Sequence, residues 1–379
     1  LRLQRLTGLG ILALREEHQA TVKLIDRLEA ILKKESKLIE VIREEMLEIA
    51  RKYGDPRRTR LLELSEKEEA LMEASAVPVP EDAVVVLTRG GQLRRLAPKA
   101  HERMELPATP AEMPLYTFAT QTNHSLLFFT QLGNCYQVPI SQLEETRPRD
   151  RAMVLAGVLS GFEEGEDVVS VLLLPPNELD SAPDLFFFTS KGMVKRTPVA
   201  EYAVRRSKVA AITLAKGDTL AKVVTLRPQD DVFCLSHVGM IIRFAEDEVP
   251  PTGRTTRGVK AMKLVAGDSL ANAGGIQESD QLLLISERGY MKRVPGSMVD
   301  AQRRGGKGVR SFYYNKNGSN GSYLAASEVI SYPRSFSVQT ALGQLVPLSS
   351  EDIALQQLTD RGKPQVMALM DDVVTALIL

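Results

Sequence analysis

The 379-residue sequence predicts an all-β, propeller-like disc of six blades preceded by a long helical arm. Three observations carry this reading. Apolar residues near the N-terminus recur at helical spacing, the texture of the chain changes abruptly after residue 80, and one hairpin template recurs six times beyond that point.

The arm comes first. From about Ala13 to Tyr53 there is no Gly or Pro, and Val22, Ile25, Leu28, Leu32, Leu38, Ile42, Met46 and Ile49 fall on one helical face. Glu40, Arg43, Glu44, Glu45, Glu48 and Arg51 occupy the other side, and Gly54 and Pro56 supply a stop. A coiled-coil arm and an amphipathic helix packed on its own domain fit this pattern equally. Residues 65–80 read as a linker, charged at Glu66 to Glu69 and small or Pro-rich from Ala74 to Pro80. The expected division is therefore 1–64 for the arm, 65–80 for the linker and 81–379 for the disc.

The disc rests on the repeat. Val84 to Leu96, Leu126 to Val138, Leu185 to Thr197, Val232 to Phe244, Leu282 to Val294 and, more weakly, Phe336 to Leu348 share one template. It consists of an apolar strand, often a Thr or Ser, two residues, a Gly and a second short strand. The turn glycines are Gly91, Gly133, Gly192, Gly239, Gly289 and Gly343, placed where positive φ is needed. One hairpin cannot bury both faces, so units of this length imply blades or a solenoid. Further short elements, such as Val209 to Leu214 before Gly217-Asp218 and Gly258 to Leu264 before Gly267-Asp268, bring each unit to about four strands. Six such units closing into a ring remove free sheet edges, with Val373 to Leu379 as the closing strand.

Charge is balanced in total, with 48 Lys and Arg against 48 Asp and Glu, yet it is sorted along the chain. Ser190 to Lys263 holds 14 bases and seven acids, Arg288 to Lys316 eight bases and one acid, and Gln142 to Asp184 three bases and ten acids. A basic surface is thus available despite neutrality. Bases recur just after the turn glycine, at Arg94 and Arg95, Lys195 and Arg196, Arg243, and Lys292 and Arg293. Register repetition predicts that they share one radial level suited to a polyanion; solvated strand positions that protect sheet edges are the plainer reading. Arg205, Arg206, Arg254, Arg257, Lys260 and Arg310 extend the basic set. The loop Gln302-Arg303-Arg304-Gly305-Gly306-Lys307-Gly308 combines cations with glycines that expose backbone N–H groups. It lacks the Lys-Ser/Thr pair of a nucleotide-binding loop, so a nucleic-acid backbone suits it better.

Several classes are excluded or lack support. Cys135 and Cys234 form no CxxC pair, so neither a disulfide scaffold nor a zinc site is expected. His18, His101, His124 and His237 do not group with carboxylates. No apolar run approaches the roughly 20 residues of a membrane span, and no signal-peptide core is present. The chain begins at Leu1 and is expected to be part of something longer.

Three stretches resemble the A subunit of bacterial type II topoisomerases, DNA gyrase in particular. Leu1 to Leu9 is similar to the end of that subunit's breakage-reunion core. Val41-Ile42-Arg43-Glu44-Glu45 with Gly54-Asp55 and Arg57-Arg58-Thr59 is similar to the returning arm of its coiled coil. Gln302 to Gly308 matches the seven-residue box that marks the gyrase form. The resemblance implies a β-pinwheel whose basic rim wraps double-stranded DNA in support of ATP-dependent negative supercoiling. It also implies a gyrase B-type ATPase partner, a homodimer of the cleaving subunits, a cytoplasmic setting, and no cofactor in this chain, ATP and Mg being expected on the partner and the remaining core. The box follows the fifth hairpin here, whereas the family carries it in the first blade, where this chain has Met104-Glu105-Leu106-Pro107. No tyrosine follows an arginine, so the cleaving Arg-Tyr-Thr setting is missing and the chain should not cut DNA alone. The corresponding part of a topoisomerase IV, and a propeller that serves as a protein scaffold, stay open as alternatives.

Overall fold

The computed structural model describes residues 8–55, 80–104, 107, 109–176, 182–204, 206–366 and 372–379. The chain divides into two compact units, Leu1–Val77 and Pro78–Leu379. Leu1 to Thr7, Arg57-Arg58-Thr59, most of the expected linker, Glu105, Leu106 and Arg205 lie outside the described residues.

In the first unit the expected continuous helix is two helices, α1 (Gly8–Lys33) and α2 (Glu35–Tyr53). Lys34 leaves helical backbone, with φ −132° and ψ 110°, and its carbonyl accepts the amides of Lys37 and Leu38 to start α2. Gly54 closes α2 through an N–H to Ala50 O bond of 2.8 Å. The apolar stripe is open to solvent, from 42% exposed at Val22 to 84% at Leu32.

The second unit holds strands β1 (Asp82–Thr88), β2 (Gln92–Leu96), β3 (Pro114–Gln121), β4 (Ser125–Thr130), β5 (Asn134–Pro139), β6 (Met153–Val154), β7 (Val168–Leu174) and β8 (Leu185–Thr189). There follow β9 (Met193–Thr197), β10 (Lys208–Ala210), β11 (Leu220–Thr225), β12 (Asp231–Ser236), β13 (Met240–Phe244), β14 (Val259–Lys260), β15 (Leu270–Ile276) and β16 (Gln281–Ser286). The last are β17 (Tyr290–Pro295), β18 (Val309–Arg310), β19 (Leu324–Ile330), β20 (Ser335–Thr340), β21 (Leu345–Ser349), β22 (Lys363–Pro364) and β23 (Val374–Ile378). They form six antiparallel sheets, each built on one of the six hairpins. All six turn glycines have positive φ, from 73° to 84°. The template's hydroxyl has a local use: Thr88, Thr189, Ser236, Ser286 and Thr340 each accept the amide of the residue after the glycine. The Gly-Asp pairs act similarly, since Asp218 accepts the Lys191 amide and Asp268 the Val238 amide, fixing the hairpin turns.

Inside blades one to five the order is inner strand, hairpin, outer strand, and the outer strand is exchanged. β6 pairs with β2 of blade one although it follows the second hairpin, and β10, β14, β18 and β22 pair with β5, β9, β13 and β17 in the same way. The four strands of one sequence unit are therefore shared between two blades, which corrects the expectation of self-contained units. The exchange makes the disc a pinwheel.

The core lies between blades, because alternate residues of each first hairpin strand point to opposite neighbours. Leu126 and Phe128 meet Val85 and Leu87; Leu127 and Phe129 meet Phe187; Phe186 and Phe188 meet Val232 and Cys234. Phe233 and Leu235 meet Leu282 and Leu284, and Leu283 and Ile285 meet Phe336 and Val338. The pattern stops at the ends. The outer face of β20 offers Ser335, Ser337 and Gln339, while Val84, Val86 and Leu96 of blade one are packed by Ala100 and Met104 of their own blade. Among the described residues no apolar cluster joins blades six and one; Arg89 Nη2 does donate to Leu377 O at 2.9 Å. Val374–Ile378 pairs with β20 as the inner strand of blade six. A central channel of about 590 Å³ is lined by all six inner strands, including Tyr116, Val171, Lys222, Asn272, Glu328 and Leu377.

Candidate nucleic-acid interface

The exchanged outer strands place the site. Each is preceded by a loop that crosses the edge of the blade it joins, and each has a cation two positions before its first residue. These are Arg151 before Met153, Arg206 before Lys208, Arg257 before Val259, Lys307 before Val309 and Arg361 before Lys363. All five are exposed, and none has a side-chain partner among the described residues. These five cations, unpaired among the described residues and placed one in each of blades one to five at one register position, form a periodic cationic rim.

The sequence singled out Arg206, Arg257 and Lys307, and the structure brings them to this rim with Arg303 from the loop before β18 and with Lys260 and Arg310 on the outer strands β14 and β18. Arg254, expected in the same set, instead turns inward with its Nη1 buried. Arg310 stacks over Tyr313 at 5.8 Å. Arg151 and Arg361 were missed, as were Arg147, Arg149 and Lys363 near them. The signal was an offset from the outer strand, which is unreadable until a strand of two residues is recognised as a strand.

The cations placed just after the turn glycine do not belong to the rim, which corrects the expected radial level. Lys195 and Lys292 are 1% and 0% exposed. Lys195 Nζ donates to Ala211 O and Arg254 O, each at 2.7 Å, and lies 4.8 Å from the Phe187 ring. Lys292 Nζ donates to Gln357 O, Asp360 O and Leu358 O at 2.7, 2.8 and 3.1 Å. Arg94 Nη1 reaches Asp150 O at 2.5 Å. Each side chain points between its hairpin and the incoming loop, holding from below the loop whose other residues form the rim. Burial pulls Lys195 down to about 7 and Lys292 down to about 8.

The next position points to the other side and is paired. Arg196 meets Asp184 and Glu246 at 2.6 and 3.0 Å, and Arg243 meets Asp231 and Glu278 at 2.7 and 3.3 Å. Arg293 donates to Ile353 O and Gln281 Oε1, and Arg95 donates to Leu143 O while facing Glu81 and Glu145 at 3.9 Å. A partner twelve residues earlier recurs in three of these blades, so the arginine fastens the second hairpin strand to the start of the first.

The glycine-rich loop follows the fifth hairpin but sits on the edge of blade four, so its expected position in blade five is corrected. Gln302 N donates to Arg243 O at 2.7 Å, and Gly305 N donates to Ala261 O at 2.8 Å across to the segment leaving β14. Gly306 O accepts Lys263 N at 2.8 Å. Arg304 is held within the protein, its N donating to Glu248 Oε2 at 2.9 Å and its Nη1 to Lys260 O at 2.6 Å. Arg303 and Lys307 are left facing solvent, and Gly308, with φ 71°, lets the chain pass against Ile241. Among the described residues no cluster of His, Cys, Asp and Glu could hold a metal ion, and no helix is long and apolar enough to cross a membrane.

Fold and site together define a class: strand-exchanging, six-bladed discs with a cationic outer rim. Residues 124–175, 183–227, 230–274 and 280–319 match the family model described as DNA gyrase C-terminal domain, beta-propeller. The chain belongs to that family. It is 31% identical over 314 residues to the A subunit of DNA topoisomerase 4 from Bacillus subtilis, covering 82% of this chain and 38% of that protein. It is 32% identical over 376 residues to the A subunit of DNA gyrase from Helicobacter pylori, covering 93% and 43%. It thus spans about two fifths of the length of these relatives. In fold it is similar to the crystal structure of the C-terminal domain of DNA topoisomerase IV, with a TM-score of 0.72 at 21% identity over 79% of this chain and 94% of that one. The DNA gyrase A C-terminal domain gives a TM-score of 0.57 at 22% identity over 78% and 99%.

Proposed function

We propose that this chain bends double-stranded DNA around the outer rim of its pinwheel, as the wrapping part of the DNA-cleaving subunit of a type II topoisomerase. The observation that carries the reading is the exposed cation, unpaired among the described residues, at the same register position before five outer strands. A polyanion of regular charge spacing gains counterion release at each such point, and contacts of this kind fix a path without reading sequence. Bending a 20–30 bp segment smoothly costs on the order of 1–6 kcal/mol, within reach of several phosphate contacts. The box on blade four contributes Arg303 and Lys307 to that path, with Arg304 holding its shape.

In a gyrase-type enzyme the wrap supports ATP-dependent negative supercoiling, in a cytoplasmic assembly with a gyrase B-type ATPase and a second copy of the cleaving subunit. In a topoisomerase IV type it supports strand passage for decatenation. The position of the box away from blade one, and the relatives from both types, support either. The open apolar stripe on α1 and α2 suits a coiled-coil arm.

Gel retention of linear DNA across a salt series tests the binding, and ligase closure of nicked circles tests the wrap. Affinity with little sequence preference that falls steeply with salt, together with a shift in linking number, is expected. Retention no greater than that of a neutral control protein at low salt would sink the reading and leave a protein scaffold.

A further inference from the structure

The outer edge of blade six differs from the other five. In blades one to five the carbonyl of the turn glycine accepts the amide of the residue just after the outer strand. Gly91 accepts from Leu155, Gly133 from Ala211, Gly192 from Ala261, Gly239 from Ser311 and Gly289 from Gln365, at 2.7 to 3.3 Å. A second rung recurs four residues on, where Arg95, Arg196, Arg243 and Arg293 accept the amides of Thr146, Thr252, Gln302 and Gln356. In blade six neither Gly343 O nor Pro347 O has such a partner among the described residues, and nothing described lies within 4 Å of a Cβ placed on Gly343. Among the described residues blade six has three strands where the others have four.

The difference reaches the side chains. Leu93, Cys135, Val194, Ile241 and Met291, two residues after their turn glycines, are at most 1% exposed. Their counterpart Leu345 is half-buried, and Leu342 in the turn is 73% exposed. Residues 335–352, which form the hairpin of blade six and the turn after it, contain no Lys or Arg but carry Glu351 and Asp352. The rim cations therefore end at blade five, and blade six presents an acidic strand edge with no partner among the described residues.

We infer that the β21 edge of blade six is a docking edge for an extended cationic segment of another polypeptide, which adds the missing fourth strand beside Gly343 to Leu345. The five filled edges show what the slot accepts. Their occupants include Arg257-Gly258-Val259-Lys260 and Lys307-Gly308-Val309-Arg310: a base, a glycine that passes close to the neighbouring backbone, a β-branched residue and a base. Main-chain pairing supplies the attraction common to strand addition, Leu342 and Leu345 receive the aliphatic side chain, and Glu351 and Asp352 select positive charge. Pro347 has no N–H, so the added strand is as short as β14 or β18. A second copy of this chain paired edge to edge would bring two acidic edges together, which disfavours that occupant.

The test uses the whole chain and a labelled peptide copying residues 301–314. Saturable binding is expected, with slowed hydrogen exchange at the Leu345 amide. Glu351→Lys, a surface change that leaves the Ser349–Asp352 cap at the end of β21 intact, should weaken binding about fivefold, and Leu345→Pro should abolish it without lowering the midpoint of global unfolding. Equal binding by a scrambled peptide of the same composition, or binding indifferent to both variants, overturns the inference. Self-association that the peptide fails to reverse places a second copy on the edge and overturns the choice of occupant.

Discussion

The ammonium of Lys195 lies 2.7 Å from the carbonyl oxygen of Arg254, so a buried cation of blade three holds down the loop that carries the exposed cation Arg257. Lys292 repeats the relationship in blade five with Asp360 O, one residue before Arg361. In blade four the position is Ile242, and the loop is held from outside by Arg304 and Glu248. The rim is presented by loops with two kinds of anchor.

Removing the anchor should separate stability from binding charge. Lys195→Met leaves the carbonyl of Arg254 without its donor and that of Ala211 with the Tyr202 hydroxyl alone, in a dry setting, which costs roughly 1–3 kcal/mol. Urea unfolding should show that loss. The slope of log affinity against log salt for DNA should stay unchanged, because no phosphate contact is removed; a reduced slope would return Lys195 to the interface.

The same lysines give the protein a pH-dependent stability. Their folded-state values, about 7 and about 8, lie below the ordinary value of about 10.4 that they regain on unfolding. Between these limits the unfolded chain binds more protons than the folded one, so stability rises as pH rises. Each lysine contributes a slope of about 1.4 kcal/mol per pH unit in the middle of its window. Unfolding free energies measured from about pH 7 to 9.5 should climb, and Lys292→Met should flatten the climb. A parallel profile in the variant would count against a low value for Lys292.

At the rim the expectation reverses. Lys307→Ala and Arg257→Ala should each leave stability within about 0.5 kcal/mol and lower the salt slope by about 0.9, one phosphate contact each. Arg196→Ala should do the opposite, costing stability through Asp184 and Glu246 with the slope retained. Salt titrations of the three variants check the assignment.

Which of these residues could be read from sequence follows from what each signal depends on. The hairpins were legible because the hydroxyl, the turn glycine and the apolar strand are local requirements. The weakness of the sixth copy was legible too, since Ser335, Ser337 and Gln339 replace the apolar face that a further blade would cover. Strand exchange was not, because a partner strand of two residues such as Val309–Arg310 has no periodicity, and its pairing with Met240 and Ile241 is set by tertiary geometry. That gap accounts for both differences at the site. Lys195 and Lys292 look like surface cations until the incoming loop covers them, and Arg151 and Arg361 look like ordinary loop residues until the outer strand gives them a register.

The glycine before each full-length basic pair offers the sharpest check on strand exchange as the device that builds the rim. Gly308 has φ 71°, and a Cβ there would overlap the carbonyl oxygen of Ile241; Gly258, at 76°, meets Val194 in the same way. Gly267 has φ 81° but open space around its Cβ position. An alanine at any of the three bears the conformational cost of positive φ, about 1–2 kcal/mol. Only at Gly308 and Gly258 must backbone also move, and what moves is the outer strand with the cation one residue before it. Gly308→Ala should therefore lose more stability than Gly267→Ala, by about 1–3 kcal/mol, and should reduce the linking-number shift in circles closed by ligase. Gly267→Ala should leave that shift intact. Equal loss of wrapping in both variants would mean that the path of DNA does not depend on where β18 holds Lys307.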